Sequence, residues 1–253
     1  MISTGFITFT KREVYRFLVL YKQTIIPGLL SSLLYIIVFG TTLGSRINLN
    51  NGVDYINFII PGLTMMTILN QAYQNSASSI MQGKYLKFIE DLLIIPLSGL
   101  EITLGYIIGG AVRGLISGIG IILICLFLTN FTVNNYSLTL FYLIIVSWTF
   151  SAFGVIVGVY AKTWDAVGSF SNFIILPMTF LGGVFYSIDM LPVFWRNISY
   201  INPIFWMING IRYSTIGIAE TSNLISIIIS LFFCLIFTII ATTLFTTGYK
   251  IKS

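Results

Sequence analysis

The residues able to do chemistry in this chain are few, and most sit in one stretch, KYLKFIEDLLIIPLSGLEI at 84–102. It holds Lys84, Lys87, Glu90, Asp91 and Glu101, in a chain whose charged residues make up only 8% of the total. Arg113 is an isolated charge in the apolar sequence GYIIGGAVRGLISG. Absences narrow the chemistry further. There is no histidine. There is no G-x-x-x-x-G-K-[ST] phosphate loop: Gly83-Lys84 is followed by Tyr85 and lacks a glycine at the required distance. No acidic residue falls inside a long apolar run, where a proton- or sodium-coupled carrier usually places one. Cys125 and Cys234 read as buried hydrophobes, not as a disulfide framework or metal site. The sequence therefore offers no nucleotide hydrolysis and no ion coupling of its own. Energy for uphill transport has to come from a partner.

The elements that must carry these residues are membrane helices. Hydrophobic residues are 57% of the chain, against about 45–50% in soluble domains, which also carry about 25% charge. So little charge does not cover a soluble surface. A crossing needs about 20 apolar residues. Charge-free runs then predict six transmembrane helices, at 25–43, 56–78, 103–128, 138–161, 167–187 and 223–246. The polar stretch 129–135 divides the third from the fourth. An even number of spans puts both termini on one side. That side collects Lys11, Arg12, Arg16, Lys22, Lys84, Lys87, Lys162, Lys250 and Lys252, against Arg46, Arg196 and Arg212 opposite. By the positive-inside rule the termini are cytoplasmic. The net charge of +5 is this topology signal and does not point to nucleic acid.

Three segments lie outside the spans. Residues 1–22 read as an amphipathic interfacial helix, with Phe9, Val14, Phe17, Leu18 and Tyr21 broadly on one side and basic flanks for anionic lipid. A plain basic leader that sets topology is the alternative. The outer loop 188–222 is rich in Trp and Tyr and too short in its apolar pieces to cross. It reads as re-entrant or interfacial, with Asn202-Pro203 turning between two short helices. The cytoplasmic segment 80–101 contains the charged stretch. As a helix it places Lys84, Lys87 and Asp91 on one face and Leu86, Ile89 and Leu93 on another. Its lysines precede its acids, against the helix dipole, so something outside the segment is expected to hold it: a cytosolic partner, or the headgroups if the helix lies flat, against which its acids argue. Two readings of Arg113 stand: it faces a cavity, a partner helix or a lipid phosphate, or it snorkels to the headgroups. Gly105/Gly109, Gly110/Gly114/Gly118 and Gly154/Gly158 allow close helix packing.

FIEDLLIIPLSGLEI at 88–102 resembles the E-x-L-L-x-x-P segment of the ABC-2-type permeases, through Glu90, Leu92, Leu93 and Pro96. FLGGVFYSIDMLPVFWRNISYINPIFWMINGIRY at 180–213 is similar to that family's outer segment, with Leu191-Pro192, Asn202-Pro203 and Arg212 as landmarks. The likeness extends over nearly the whole chain and is to the small drug- and nodulation-factor-type permeases. It implies one all-α membrane domain over 1–253, working as the permease subunit of an ATP-binding-cassette exporter in a bacterial inner membrane. It also implies that Lys87, Phe88, Ile89, Glu90, Asp91, Leu92 and Leu93 form a coupling helix against a separate nucleotide-binding ATPase subunit. ATP and Mg would sit on that subunit, and this chain would bind no cofactor and act as a dimer among membrane lipid. A secondary carrier or channel is the rival reading, and a membrane enzyme or assembly factor is weaker still.

Overall fold

The computed structural model describes residues 4–43, 53–89, 92 and 96–248, and among these it is helical with no strand. Arg46, Glu90, Asp91, Leu93, Lys250 and Lys252 lie outside the described residues. The N-terminal segment folds as α1 (Thr4–Val19) and a single turn α2 (Tyr21–Thr24), leading into α3 (Ile26–Leu43). Then come α4 (Tyr55–Tyr85), α5 (Gly99–Leu128) and α6 (Tyr136–Tyr160). The next stretch is broken into α7 (Trp164–Phe170), a π-helical turn (Ser171–Ile175) and α8 (Leu176–Leu181). The next connection carries a 3₁₀ turn (Ile188–Met190), α9 (Val193–Ile201) and α10 (Pro203–Ile216), and α11 (Asn223–Thr247) follows.

Among the described residues four helices are long and apolar enough to cross a membrane: 21–40, 99–128, 136–160 and 223–247. Two expected spans differ, for separate reasons. The span expected at 56–78 is instead a 31-residue helix. It fails on hydropathy because its second half is rich in Asn, Gln and Ser. Those residues do not end it, because Asn75, Ser76 and Ser79 are buried against neighbouring helices and find partners there. The span expected at 167–187 begins at Trp164, widens into the π turn, and stops at Leu181. Pro177 lacks the N–H that a continuous ladder needs, and Gly183 takes φ +77°, a left-handed conformation that favours glycine.

α4 is the central rod, and α5, α6, α3 and α10 pack on it. The two glycine series on α5 serve different neighbours. Gly105 and Gly109 face Phe9 and Glu13 of α1, while Gly110, Gly114 and Gly118 face α4 and α6. Backbone meets backbone most closely at Gly154 of α6, where a Cβ would run into the Tyr73 carbonyl oxygen. Hydroxyls bridge the helices at the same level. Ser151 donates to the Ile107 carbonyl at 2.7 Å, and its oxygen lies 2.7 Å from that of Ser76. Cys125 and Cys234 are buried and unpaired by disulfide.

This packing sets a matched pair of glycine tests. Gly154→Ala drives a methyl into backbone and is expected to destabilise by about 1–3 kcal/mol. Gly168→Ala meets nothing within 4 Å and gains about 0.5–1 kcal/mol of helix propensity. Thermal melting in detergent should place the first variant below the parent and the second at or above it. Equal melting of the two would contradict the packing.

Candidate functional site

The charged stretch at 84–102 divides at Lys87. α4 runs through Tyr85, so Lys84 belongs to that helix and not to the segment after it. The Lys84 ammonium donates to the carbonyls of Val159 and Ala161, at the C-terminal end of α6, where a cation is favoured. Lys87 itself takes φ +59° and is exposed, so the chain turns there with its charge outward. Phe88 lies beneath the Arg12 guanidinium, 4.3 Å from ring centroid to carbon, and beside Gly83. Ile89 and Leu92 are buried, in one cluster with Phe9, Ile80, Ile102, Tyr106 and Phe245. Leu86, expected on the apolar face with Ile89, is instead exposed, because the turn at Lys87 resets the helix phase. Glu101 is committed locally: it forms a capping box with Ser98 at the start of α5. Thus the stretch keeps an inward apolar anchor and presents Lys87 outward. Glu90, Asp91 and Leu93 fall outside the described residues.

The N-terminal helix is fastened to this region by a buried polar cluster that a reading of its basic residues alone misses. Phe9, Glu13 and Phe17 form the buried row of α1, four residues apart, whereas Leu18 and Tyr21 are exposed. Glu13 accepts a 2.6 Å hydrogen bond from Ser79 of α4 and lies 3.7 Å from Arg16. Arg16 donates to the carbonyl of Asn75 at 2.7 Å and to its side-chain oxygen at 3.2 Å. An acid spaced four from each of two aromatics was the available signal. The opposite face of α1, with Ile7, Lys11, Arg12, Tyr15 and Leu18, stays open, as an interfacial helix requires.

At the far end of α4 the outer landmarks form a second cluster, around Arg212. Its guanidinium is buried, donates to the Gly183 carbonyl at 2.6 Å, pairs with Glu220 at 3.4 Å, and lies 3.9 Å over the Phe58 ring. Glu220 in turn accepts from the Ile188 N–H. Asn209 accepts from the Glu220 N–H at 2.8 Å and donates to Thr221 and Ser226. Asn202 caps α10, with Pro203 at its first position, and donates to the Met178 carbonyl at 2.6 Å. Pro192 stands at the N-cap of α9. Asn209 and Glu220 were not singled out by sequence, since neither belongs to a recognisable motif. Arg113 is buried and donates to the Thr24 carbonyl at 2.9 Å, holding the junction of α2 and α3 against α5.

The Glu13 cluster gives a pH signature. Burial pushes the Glu13 carboxyl above its ordinary value of 4.5, against the Ser79 hydrogen bond and the charges of Arg16 and Arg12, which pull it down. A raised folded-state pKa means the docked helix binds the proton more tightly than the unfolded chain. Its contribution is full below about pH 4.5 and is lost as pH rises through the folded value. Glu220 is shifted in the same direction, so the readout is the difference between parent and Glu13→Gln. Melting temperatures across about pH 4.5–7.5 should fall more steeply in the parent than in the variant. Parallel profiles would contradict the burial of an ionisable Glu13.

Comparison with known proteins bears on both clusters. The ABC-2 type transporter family model matches residues 4–216, which include the docked α1, the Lys87 turn and Arg212. The inner membrane transport permease YadH of Escherichia coli (strain K12) is 41% identical over 209 residues, covering 83% of this chain and 82% of the relative. Nodulation protein J of Rhizobium leguminosarum bv. viciae is 26% identical over 199 residues, covering 77% and 75%. Nodulation protein J of Rhizobium meliloti (strain 1021) is 22% identical over 197 residues, covering 77% and 74%. The chain belongs to the ABC-2 type transporter family.

Proposed function

We propose that this chain is the permease subunit of an ATP-driven exporter in a bacterial inner membrane, paired with a second copy of itself and powered by a separate nucleotide-binding subunit. The chain crosses six times with both termini in the cytoplasm, counting α4 and the broken α7–α8 stretch as crossings. It is not itself catalytic; ATP and Mg belong to the partner. The name of the 41% identical relative, an inner membrane transport permease, supports the location and the transport role.

One observation carries the mechanism: α4 joins the two clusters. It has 31 residues, about 46 Å at 1.5 Å per residue. Its cytoplasmic end bears the Glu13, Arg16 and Lys84 contacts and the Lys87 turn. Its outer end bears Phe58 under Arg212, and the Tyr55 hydroxyl donates to the Phe185 carbonyl at 3.0 Å. Near that end Gly62 sits against the Val184 backbone, 2.6 Å from a Cβ position. A force applied beyond Lys87 enters a segment anchored by Ile89 and Leu92, and a rigid helix passes it to the outer closure. The ATPase subunit docks on the outward face at Lys87, with Phe88, Glu90, Asp91 and Leu93 completing the coupling segment.

Gentle purification of the tagged chain from its own membranes should recover a phosphate-loop ATPase in equal number, two of each by native mass spectrometry. Lys87→Glu should weaken that retention while shifting the permease's own stability by no more than about 0.5 kcal/mol, as for an ordinary surface substitution. Recovery of a monomer with no ATPase, in parent and variant alike, would sink the proposal.

A further inference from the structure

Among the described residues ten buried side-chain nitrogen and oxygen atoms have no hydrogen-bond partner, and five of them meet at one joint. There α1 packs along α5 and hydrogen-bonds to α4. The five are Thr10 Oγ1, Glu13 Oε1 and Arg16 Nε of α1, Asn75 Nδ2 of α4, and the Tyr106 hydroxyl of α5. Glu13, Asn75 and Tyr106 are each 0% exposed. The set gathers on the Gly105–Gly109 face of α5. A Cβ at Gly105 would stand 3.5 Å from Thr10 Oγ1, and one at Gly109 would stand 2.7 Å from the Glu13 Cβ and 3.5 Å from Asn75 Nδ2. Arg16 Nε lies 3.7 Å from Glu13 Oε2, beyond hydrogen-bond reach. So many bare polar atoms in one enclosed place would weigh heavily on a fold of ordinary stability.

The same atoms select what fits among them. Arg16 Nε and Asn75 Nδ2 only donate, the ionised Glu13 Oε1 only accepts, and the hydroxyls of Thr10 and Tyr106 do either. A cation is opposed by Arg12 and Arg16, and an anion by the Glu13 carboxylate. What remains is a small neutral molecule that both donates and accepts. Water does so, and makes about three hydrogen bonds when buried. The Arg16 side chain is 24% exposed and gives it a way in.

We infer that the joint of α1, α4 and α5 is a bound-water site on which Glu13 exchanges its proton. One molecule accepts from Asn75 Nδ2 and Arg16 Nε and donates to Glu13 Oε1. A second joins the hydroxyls of Thr10 and Tyr106. The groups facing the Glu13 carboxyl are Arg12 and Arg16 of α1, Asn75 and Ser79 of α4, and Tyr106 of α5. Tyr106 links the water to the segment after Lys87. Its ring meets Phe9 edge-on at 5.0 Å, in the apolar cluster that also holds Ile89 and Leu92. The site stands whether or not the chain works as an exporter subunit.

The test uses the whole chain in lipid nanodiscs. Short X-ray pulses make hydroxyl radicals from water, so an enclosed side chain is oxidised only where water touches it. Tyr73, Tyr106 and Tyr142 are all 0% exposed, but Tyr73 and Tyr142 donate to Val167 and Asn223 at 2.8 Å. Mass spectrometry should find Tyr106 oxidised and the other two untouched. Equal oxidation of the three overturns the inference. So does oxidation of the buried Phe17 together with Tyr106, which would show α1 lifting away. Tyr106→Phe supplies an independent sign. Deleting a hydroxyl bonded to water lowers the melting temperature by roughly 1–6 °C, whereas deleting a bare one raises it; a rise or no change overturns the inference. Infrared spectra test the proton. Burial holds the Glu13 carboxyl above its ordinary value of 4.5, so at about pH 4.5 the parent should show a carboxylic C=O band that Glu13→Gln lacks. That band should shift within seconds of transfer to heavy water. A missing band, or one unshifted after hours, overturns the exchange.

Discussion

Polar groups enclosed among apolar helices must find partners inside the protein, and α4 carries many of them. An amide or hydroxyl left bare in hydrocarbon costs several kcal/mol. The rest of the architecture follows from meeting that demand. α4 sits at the centre because only there can Thr64, Asn75, Ser76 and Ser79 be enclosed. α5 and α6 approach it closely through glycines, so that Ser151 and the backbone of α5 come within hydrogen-bond reach of Ser76. α1 is drawn in to supply Glu13 and Arg16. Asn70 and Ser78, which are only half-buried, find their partners within the chain as well, on Met66, Ser171 and Asn75.

A helix satisfied in this way is stiff along its length and tied at both ends. Its C-terminal end is tied by charged side chains: Glu13 to Ser79, Arg16 to Asn75, Lys84 to the end of α6. Its N-terminal end is tied by the buried Arg212, whose guanidinium meets Gly183, Glu220 and the Phe58 ring together. Arg is suited to this because its planar fork serves several acceptors and stacks on aromatics, as lysine does not. In the proposed exporter these two ties are the input and output of one lever, and between them Ser171 of the π turn donates to the Asn70 side-chain oxygen of α4.

Much of this was legible in the sequence, and the misses share a physical cause. Charge-free runs located the helices that begin or end at 26–43, 99–128, 136–160 and 223–247, because lipid-facing surface is written directly as hydropathy. The same measure stopped α4 at 78, seven residues early, since it reads Asn75 and Ser79 as solvent-seeking when they are enclosed. It extended the fifth expected helix to 187, past the Gly182-Gly183 turn. The turn at Asn202-Pro203 between two short helices was legible because prolines and caps act locally, whereas Pro192 and Arg212 were singled out through the family likeness alone. Glu13, Asn209 and Glu220 were not, because each is defined by a partner on another helix, which spacing along the chain does not reveal. For Arg113 a cavity, a partner helix or a lipid phosphate was expected, or the headgroups; it donates to the Thr24 carbonyl on a neighbouring helix, a partner that spacing along the chain does not identify.

The claim on which the account turns is that force enters at the Lys87 turn from a soluble subunit. A photo-crosslinking residue placed at position 87, activated in native membranes, tests this most directly. The account predicts an adduct with a phosphate-loop ATPase, whose yield changes when ATP and Mg are added. An adduct with lipid alone would contradict it.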